Sequence, residues 1–556
     1  MRVTPVEPEE FETEFHGGKR TFASGKAFGK SGSYCLAVLL CMVMASCAFY
    51  DTGRFDRHPD ASTQPPMGVS TATGDEDVRP PMPQAISSSQ DPIRVTVENA
   101  VFLALENNRS LQVERLNPAI RQTFEDQERA AFDPSLSIGG EFSRQKEQQT
   151  ARGSSGVLDV TSDETTIDVG VSQSFATGTD VSVDLSTEIT SSNSDSNQYE
   201  SRIGLSVTQA LLRGFGADVN LASLRQANLD TRSSRYELHG FAEALVAQVE
   251  KTYWDYALAQ REIEIVEESL ALAKQQLVET EEMIKVGKLA EIEVTAAQAE
   301  IAARRQSLIN ARSAMATTRL RLLRLLNPPG SELWGREITL LSRPVMPEEE
   351  LEDVSAHAEL ALRMRPDLNQ ARLDVQRDEL EIVKTKNGLL PKKDLFVTLG
   401  KTGYADSFGG TTSNIDDDYY DFAAGIKFNY PLKNRESEAI HRRSLLRHDQ
   451  TAKALENLAQ LVELDVRSAH IEVNRAKEQI SASKATRELQ EEKLRIETEK
   501  FRVGRSTNFL VSQAQRDLLL SQIAEVRAFA NYLQALVDFY RLEGTLLSRR
   551  GLVISD

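Results

Sequence analysis

Cysteine is almost absent and confined to one window. The three in the chain are Cys35, Cys41 and Cys47, so nothing after residue 47 can form a disulfide or a thiolate metal site. Aromatic residues are scarce at 6% of 556, while 27% are charged. That balance suits long helices better than a compact enzyme core. Positive charge is also short: the formal net charge of −18 excludes nucleic acid as a partner, since phosphate binding needs a basic surface. No run of about 18 apolar residues follows Cys47, which excludes a membrane-spanning helix there. Catalytic signatures are missing as well. There is no His-Glu-x-x-His, no Gly-x-Ser-x-Gly and no Gly-x-Gly-x-x-Gly. The seven histidines are scattered singly. His239, His441, His448 and His470 fall in helical patterns and are expected to face water. Neither an enzyme, nor a cofactor, nor a metal site is expected.

What is present begins with an export segment. Lys19, Arg20, Lys26 and Lys30 precede an apolar core at 35–45, too short to span a bilayer. It ends Met44-Ala45-Ser46-Cys47. This resembles the lipobox of bacterial lipoproteins, with Met44 replacing the usual Leu or Val. The resemblance implies a signal peptide over 1–47, with Cys47 lipidated as the mature N-terminus. Ala48, a non-acidic neighbour, implies sorting to the outer membrane. Residues 48–93 are rich in Pro, Ser, Thr and Asp without hydrophobic periodicity and read as a flexible linker.

The remainder repeats itself. Val286, Gly287, Val294, Ala297 and Gln298 recur as Val503, Gly504, Val511, Ala514 and Gln515 at a constant offset of 217 residues. Each copy lies between two long helical patterns. A Gly past the last turn, with Lys285 or Arg502 inside it, is a helix stop that also suits the dipole. Each copy therefore reads as the tip of a helical hairpin. The repeats span 94–343 and 344–556.

In the first repeat a helical region runs from 95 to about 132, where Pro134 ends it. Period-two alternation follows at Leu136 and Ile138, at Ile167, Val169 and Val171, at Val181, Val183 and Leu185, and at Ile203, Leu205 and Val207. A soluble sheet with one wet face and a membrane barrel with a polar lumen both alternate this way. Residues 218–286 then lack proline entirely, and Ile263, Val266, Leu270, Ala273, Leu277, Thr280 and Ile284 follow coiled-coil spacing. A return helix covers 290–326. The spacing predicts two shorter helices end to end beside each long one.

The second repeat follows the same plan, with strands at 395–399 and 420–428, a long helix at 435–502 and a return helix at 507–544. Its offset from the first falls from 257 to 217 residues, and 36 of the extra residues lie between Pro134 and Gly204. That is room for one additional hairpin, at about 164–190. Any membrane crossing must be made by a closed sheet, because lipid cannot satisfy an open edge. Four to six strands per chain are too few to close a wide pore, so closure needs several chains.

The repeated helix–strand–long-helix plan, the tip pattern Val-Gly-(x)6-Val-(x)2-Ala-Gln, the segment Thr208-Gln-Ala-Leu-Leu-Arg-Gly-Phe-Gly216 and the start Ala104-Leu-Glu-Asn-Asn together resemble the TolC family of outer-membrane efflux proteins. The resemblance covers about 94–546. It implies an α+β membrane protein: a homotrimer sharing one outer-membrane β-barrel, continued by a periplasmic coiled-coil barrel of helices. It further implies the exit duct of a tripartite efflux or type I secretion system, working with a periplasmic adaptor and an inner-membrane transporter. The adaptor-contact tips would be Val286, Gly287, Lys288, Val503, Gly504 and Arg505. Candidates for a periplasmic gate are Glu293, Arg505, Leu510 and Gln513. Leu510 and Gln513 stand where relatives carry acidic residues, so a cation-binding ring is not expected, and Glu293 would pair with Arg505. The extra hairpin either joins the wall, for eighteen strands in place of the family's twelve, or projects as a flap. Its clean alternation favours the wall. A lipid-anchored coiled-coil adaptor or an envelope structural protein is the alternative function. Such an adaptor would carry compact β-rich domains instead of strand pairs feeding long helices.

Overall fold

The structure is a computed structural model. It describes residues 92–552 except 151–156, 194–195, 330–332, 343–350, 352 and 417–418. The expected signal segment, Cys47 and nearly all of the linker lie outside the described residues.

The described chain starts with β1 (Ile93–Val95). The helical region expected after it is three helices: α1 (Val97–Asn107), α2 (Arg109–Glu114) and α3 (Leu116–Arg129). Asn108 makes the first break. Its ψ of 120° leaves the helical region, and its side-chain oxygen accepts from the backbone N–H groups of Ser110 and Leu111, which is N-cap geometry. Four strands follow: β2 (Ser135–Thr150), β3 (Val157–Phe175), β4 (Thr179–Ser192) and β5 (Gln198–Ala210). A short helix, α4 (Ala217–Asn220), leads into α5 (Ala222–Lys285), of 64 residues, and its return α6 (Ile292–Leu326), of 35. After β6 (Ile338–Leu340) come α7 (Val354–Met364), α8 (Pro366–Gly388), β7 (Lys392–Ala405), α9 (Phe408–Ser413) and β8 (Tyr420–Asn429). The chain closes with α10 (Arg435–Arg502), of 68 residues, its return α11 (Asn508–Glu543), of 36, and α12 (Leu546–Arg549).

Six strands form one antiparallel sheet in the order β2-β3-β4-β5-β7-β8. Register carries the alternation across every strand. Leu136, Val171, Val183, Leu205, Leu399 and Phe422 stand in one apolar row from edge to edge. One residue along, Ser137, Gly170, Asp184, Gly204, Gly400 and Asp421 form the matching row on the opposite face. On that face Arg202 reaches Asp184 at 3.2 Å and Asp421 at 2.8 Å. The pleat places successive residues on opposite faces, so one register serves both rows. β2 and β8 are the edges, each paired on one side among the described residues.

The helices also form an ordered layer. Nearer the strands the order is α3-α5-α8-α10, and nearer the hairpin tips it is α6-α5-α11-α10. As the spacing predicted, two shorter helices lie along each long one: α3 and α6 along α5, α8 and α11 along α10. The layer has the same two flanks as the sheet. α3 and α6 end one side, with β2 continuing from α3; α10 ends the other, with β8 leading into it.

The main core lies between the two levels. β1 pairs in parallel with β6 through Ile93 and Ile338, and both pack on Tyr253, Tyr256 and Val249 of α5. The Tyr253 hydroxyl donates to Val95 O at 3.2 Å and accepts from Ser342 N at 3.1 Å. Burial pushes both tyrosine hydroxyls above their ordinary range. Arg550 returns to this core and grips Glu250 through two hydrogen bonds of 2.8 and 2.7 Å. Burial alone would lower the Arg550 pKa, but those bonds and the carboxylate charge raise it. Glu243, about two helical turns earlier on the same helix, has no such partner among the described residues. Burial pushes its carboxyl up to about 8, against the lowering effect of Arg541 and Arg365.

Candidate functional site

The two hairpin tips stop their helices in the same way. Gly287 and Gly504 are left-handed, with φ of 74° and 76°. The Lys288 N–H donates to Met283 O at 2.9 Å, and the Arg505 N–H donates to Lys500 O at 2.7 Å. One residue earlier, Gly287 N–H donates to Ile284 O and Gly504 N–H to Phe501 O, both at 2.9 Å. This double closure is the Schellman motif, and it explains why both positions need glycine. Nothing lies within 4 Å of where a Cβ would stand on either glycine, so bare backbone faces outward. Val286 and Val503 flank them at 67% and 69% exposure, with Ile292 and Phe509 equally proud. Lys288 and Arg505 are exposed. The arrangement is a pair of small apolar knobs with outward-facing glycine backbone and exposed cations.

The tips are joined by contacts that the repeat pattern did not reveal. Asn508 is buried at 1% exposure at the start of α11. Its Oδ1 accepts from Gln276 Nε2 of α5 at 3.2 Å, and its Nδ2 lies 3.5 Å from the Glu293 carbonyl of α6. Arg502 reaches Glu279 at 3.3 Å, a second bridge between hairpins. Glu279 and Glu499 hold Arg502 above its ordinary range, the Glu279 hydrogen bond contributing most. Hydrogen bonds from Lys500 and then Ser506 hold Glu497 below the usual carboxylate range. The sequence signal available for Asn508 was a mismatch: its counterpart 217 residues earlier is Glu291. A residue that breaks the repeat at a tip is a candidate for tip-to-tip contact.

Of the gate candidates, Leu510 and Gln513 are exposed and Glu293 is half-buried. Within one chain no ion pair joins Glu293 to Arg505. The cross-hairpin ion pair uses Arg502 and Glu279 instead. The four helical histidines are half-buried, not fully exposed as expected. Thr385 Oγ1 lies 3.1 Å from His441 Nδ1, and burial lowers the His239 pKa. Among the described residues no group of His, Cys, Asp or Glu is arranged to hold a metal ion. Nor is any described helix long and apolar enough to cross a membrane.

The two flanks are the other functional surface. β8 is exposed along nearly its whole length and so is β2; Leu136 and Phe422 end the apolar row that crosses the sheet. The flanking helices continue the pattern. α3 exposes Leu116, Ile120 and Phe124 at four-residue spacing, α6 exposes Ile309, and α10 exposes Leu446, Leu464 and Ile471. The apolar helix surface and the strand edges left unpaired among the described residues thus share the same two flanks.

Three comparisons bear on this geometry. A family model described as outer membrane efflux protein matches residues 101–328 and 358–545. No curated protein matches the sequence. Among solved structures the chain is similar to the CmeC outer membrane channel of Campylobacter jejuni, at 15% identity and TM-score 0.60, over 81% of this chain and 86% of that one. It is similar to the outer membrane protein VceC of Vibrio cholerae at 15% identity and TM-score 0.60, over 81% and 96%. The open state of the Neisseria gonorrhoeae MtrE outer membrane channel matches at 18% identity and TM-score 0.58, over 81% and 89%. These likenesses carry the mixed helix-and-sheet fold.

Proposed function

The chain belongs to the outer membrane efflux protein family, and we propose that three copies pool their sheets into one β-barrel in the outer membrane, continued into the periplasm by a coiled-coil barrel of their helices. One observation carries this reading. The unpaired sheet edges and the exposed apolar helix faces fall on the same two flanks of the chain. Pairing like edges would turn the second copy's helices to the opposite side of the membrane, so copies join head to tail, β2 to β8, and a rotation that closes makes a ring. Closure is obligatory in lipid, where an unpaired strand edge has no water to satisfy it.

Cargo passes through this duct without any bond being made or broken. Val286, Gly287, Lys288, Val503, Gly504 and Arg505 present the surface on which a periplasmic adaptor docks, and an inner-membrane transporter supplies the energy, in a tripartite efflux or type I secretion assembly. Asn508 and the Arg502–Glu279 bridge hold the two tips of one chain as a unit. Glu293, Arg505, Leu510 and Gln513 line the approach to the closed end. Residues 94–343 and 344–556 act as the two repeats. Cys47 carries a lipid anchor, and 48–93 tethers it. Purified protein added to a planar lipid bilayer tests the reading: stepwise, pore-sized conductance is expected, and a bilayer that stays silent at every protein concentration overturns it.

A further inference from the structure

The halves of this chain are unequal where they meet the membrane. The second contributes one hairpin, β7–β8, while the first contributes two, β2–β3 and β4–β5. A chain with one hairpin per half would place twelve strands in a trimeric barrel. We propose that β3 and β4 are wall strands of this channel, so that the barrel closes at eighteen; this rests on the trimeric reading above.

Three features of the structure exclude a flap. First, β3 and β4 do not sit beside the wall but within it. Among the described residues β2 pairs only with β3, and β5 reaches the rest of the first half only through β4, across twelve register positions from Thr179↔Gln209 to Thr190↔Gln198. Taken out of the sheet, the pair would leave β2 without a partner strand in its own chain. Second, the apolar row and the polar row pass through β3 and β4 without a change of phase, through Val171 and Val183 on one face and Gly170 and Asp184 on the other. A hairpin surrounded by water has no reason to match its neighbours' lipid face. Third, the turn between them is built into the base of the barrel. Gly178 O accepts from Ala210 N at 2.8 Å, and Thr177 O accepts from Gly216 N at 3.2 Å. Asn220 Nδ2 donates to both Ala176 O and Gly214 O, at 2.9 and 2.8 Å. The packing is close enough that a Cβ on Gly178, whose φ is +84°, would stand 2.2 Å from Gly214 O. The turn is thus locked against the point where β5 becomes α5.

The consequence is a wide exit above a helical layer to which the extra hairpin adds no helix. With strands about 4.8 Å apart and tilted about 40°, twelve close at roughly 24 Å backbone diameter and eighteen at roughly 36 Å. After side chains fill about 10 Å of each, the open cross-section grows about threefold. The added wall is also one-signed. Its polar face presents Glu164, Asp168, Asp180 and Glu188, besides Asp184, which Arg202 of β5 bridges, and residues 157–192 contain no Lys, Arg or His. A bore of this width and sign favours bulky cargo that is neutral or cationic, since carboxylate rings repel anions.

Two measurements test the assignment. Electron cryomicroscopy of the full chain in lipid nanodiscs should count eighteen strands at about 36 Å diameter. A threefold barrel of twelve strands with 157–192 outside it overturns the proposal, and a particle with no shared barrel overturns the trimeric reading beneath it. Independently, a membrane-impermeant maleimide should label Ser186→Cys, on the lumen face, at least tenfold faster than Leu185→Cys, on the lipid face, each measured above the parent chain. Equal labelling of the two would mean that water bathes both sides of β4, and the hairpin would not be wall.

Discussion

Replacing Arg550 with alanine should strand a buried carboxylate. Glu250 sits within α5 with no exposed side-chain surface, and Arg550 is its bidentate partner at 2.7 Å. Removing one member of a buried ion pair costs about 3–5 kcal/mol, chiefly because the other charge is left without compensation. Arg550 keeps about a third of its side chain in solvent, so the low end, about 3 kcal/mol, is expected. Unfolding entropy near 2 cal/mol/K per residue gives roughly 1.2 kcal/mol/K for this chain, so the melting temperature should fall by about 2–3 °C. The double variant Glu250→Gln, Arg550→Met keeps the volume and removes both charges, and should stay within about 1 °C of the parent. The single variant should also recover part of its loss at pH 5, because a stranded carboxylate can take up a proton. Thermal unfolding of detergent-solubilised protein, followed by circular dichroism at pH 5 and pH 8, measures all three. Equal losses in the single and double variants would refute the reasoning, because the loss would then come from packing and not from an uncompensated charge.

Glu243→Gln should have the opposite sign. Its carboxyl pKa is raised to about 8 in the folded chain, so the unfolded chain releases a proton first and stability falls as pH rises from about 4.5 to 8. The variant should match the parent near pH 4.5 and be more stable by about 1–3 kcal/mol at pH 7; a constant difference across that range would contradict it. Gly178→Ala should lower the melting temperature more than Gly216→Ala. Both glycines have positive φ, but only the first meets a backbone oxygen, at 2.2 Å, so about 1–3 kcal/mol of overpacking adds to about 1 kcal/mol of backbone strain. Equal losses would mean that the 176–178 turn is not held against Gly214. Neutralising Asp168 and Glu188 together should shift the reversal potential of the bilayer conductance in a salt gradient toward anions; no shift would place those residues outside the conducting path.

Much of this molecule could be read from its sequence, for identifiable reasons. α10 occupies 435–502, as expected, and α11 lies within a residue of its expected limits. Long stretches without proline leave a helix no reason to stop until its glycine cap. The strands were legible because a one-residue slip would expose every apolar side chain on the wrong face. β1 and β6 were missed because three residues are too few to show a period, and their pairing joins positions 245 apart. The break at Asn108 was missed because one side-chain cap outweighed the helical periodicity around it. The tip glycines were found through the repeat, while Asn508, Gln276 and Glu279 escaped it because contacts between the halves need not be symmetric.

The proposition that one chain leaves its sheet open, and that copies close it for one another, is tested most directly by native mass spectrometry of the full-length protein released from outer-membrane detergent micelles. A particle three times the mass of the mature chain is predicted, resistant to dilution because β2, β8 and the apolar faces of α3 and α10 are buried in it. A stable single-chain particle whose β2 and β8 amides are protected from hydrogen exchange would contradict the account.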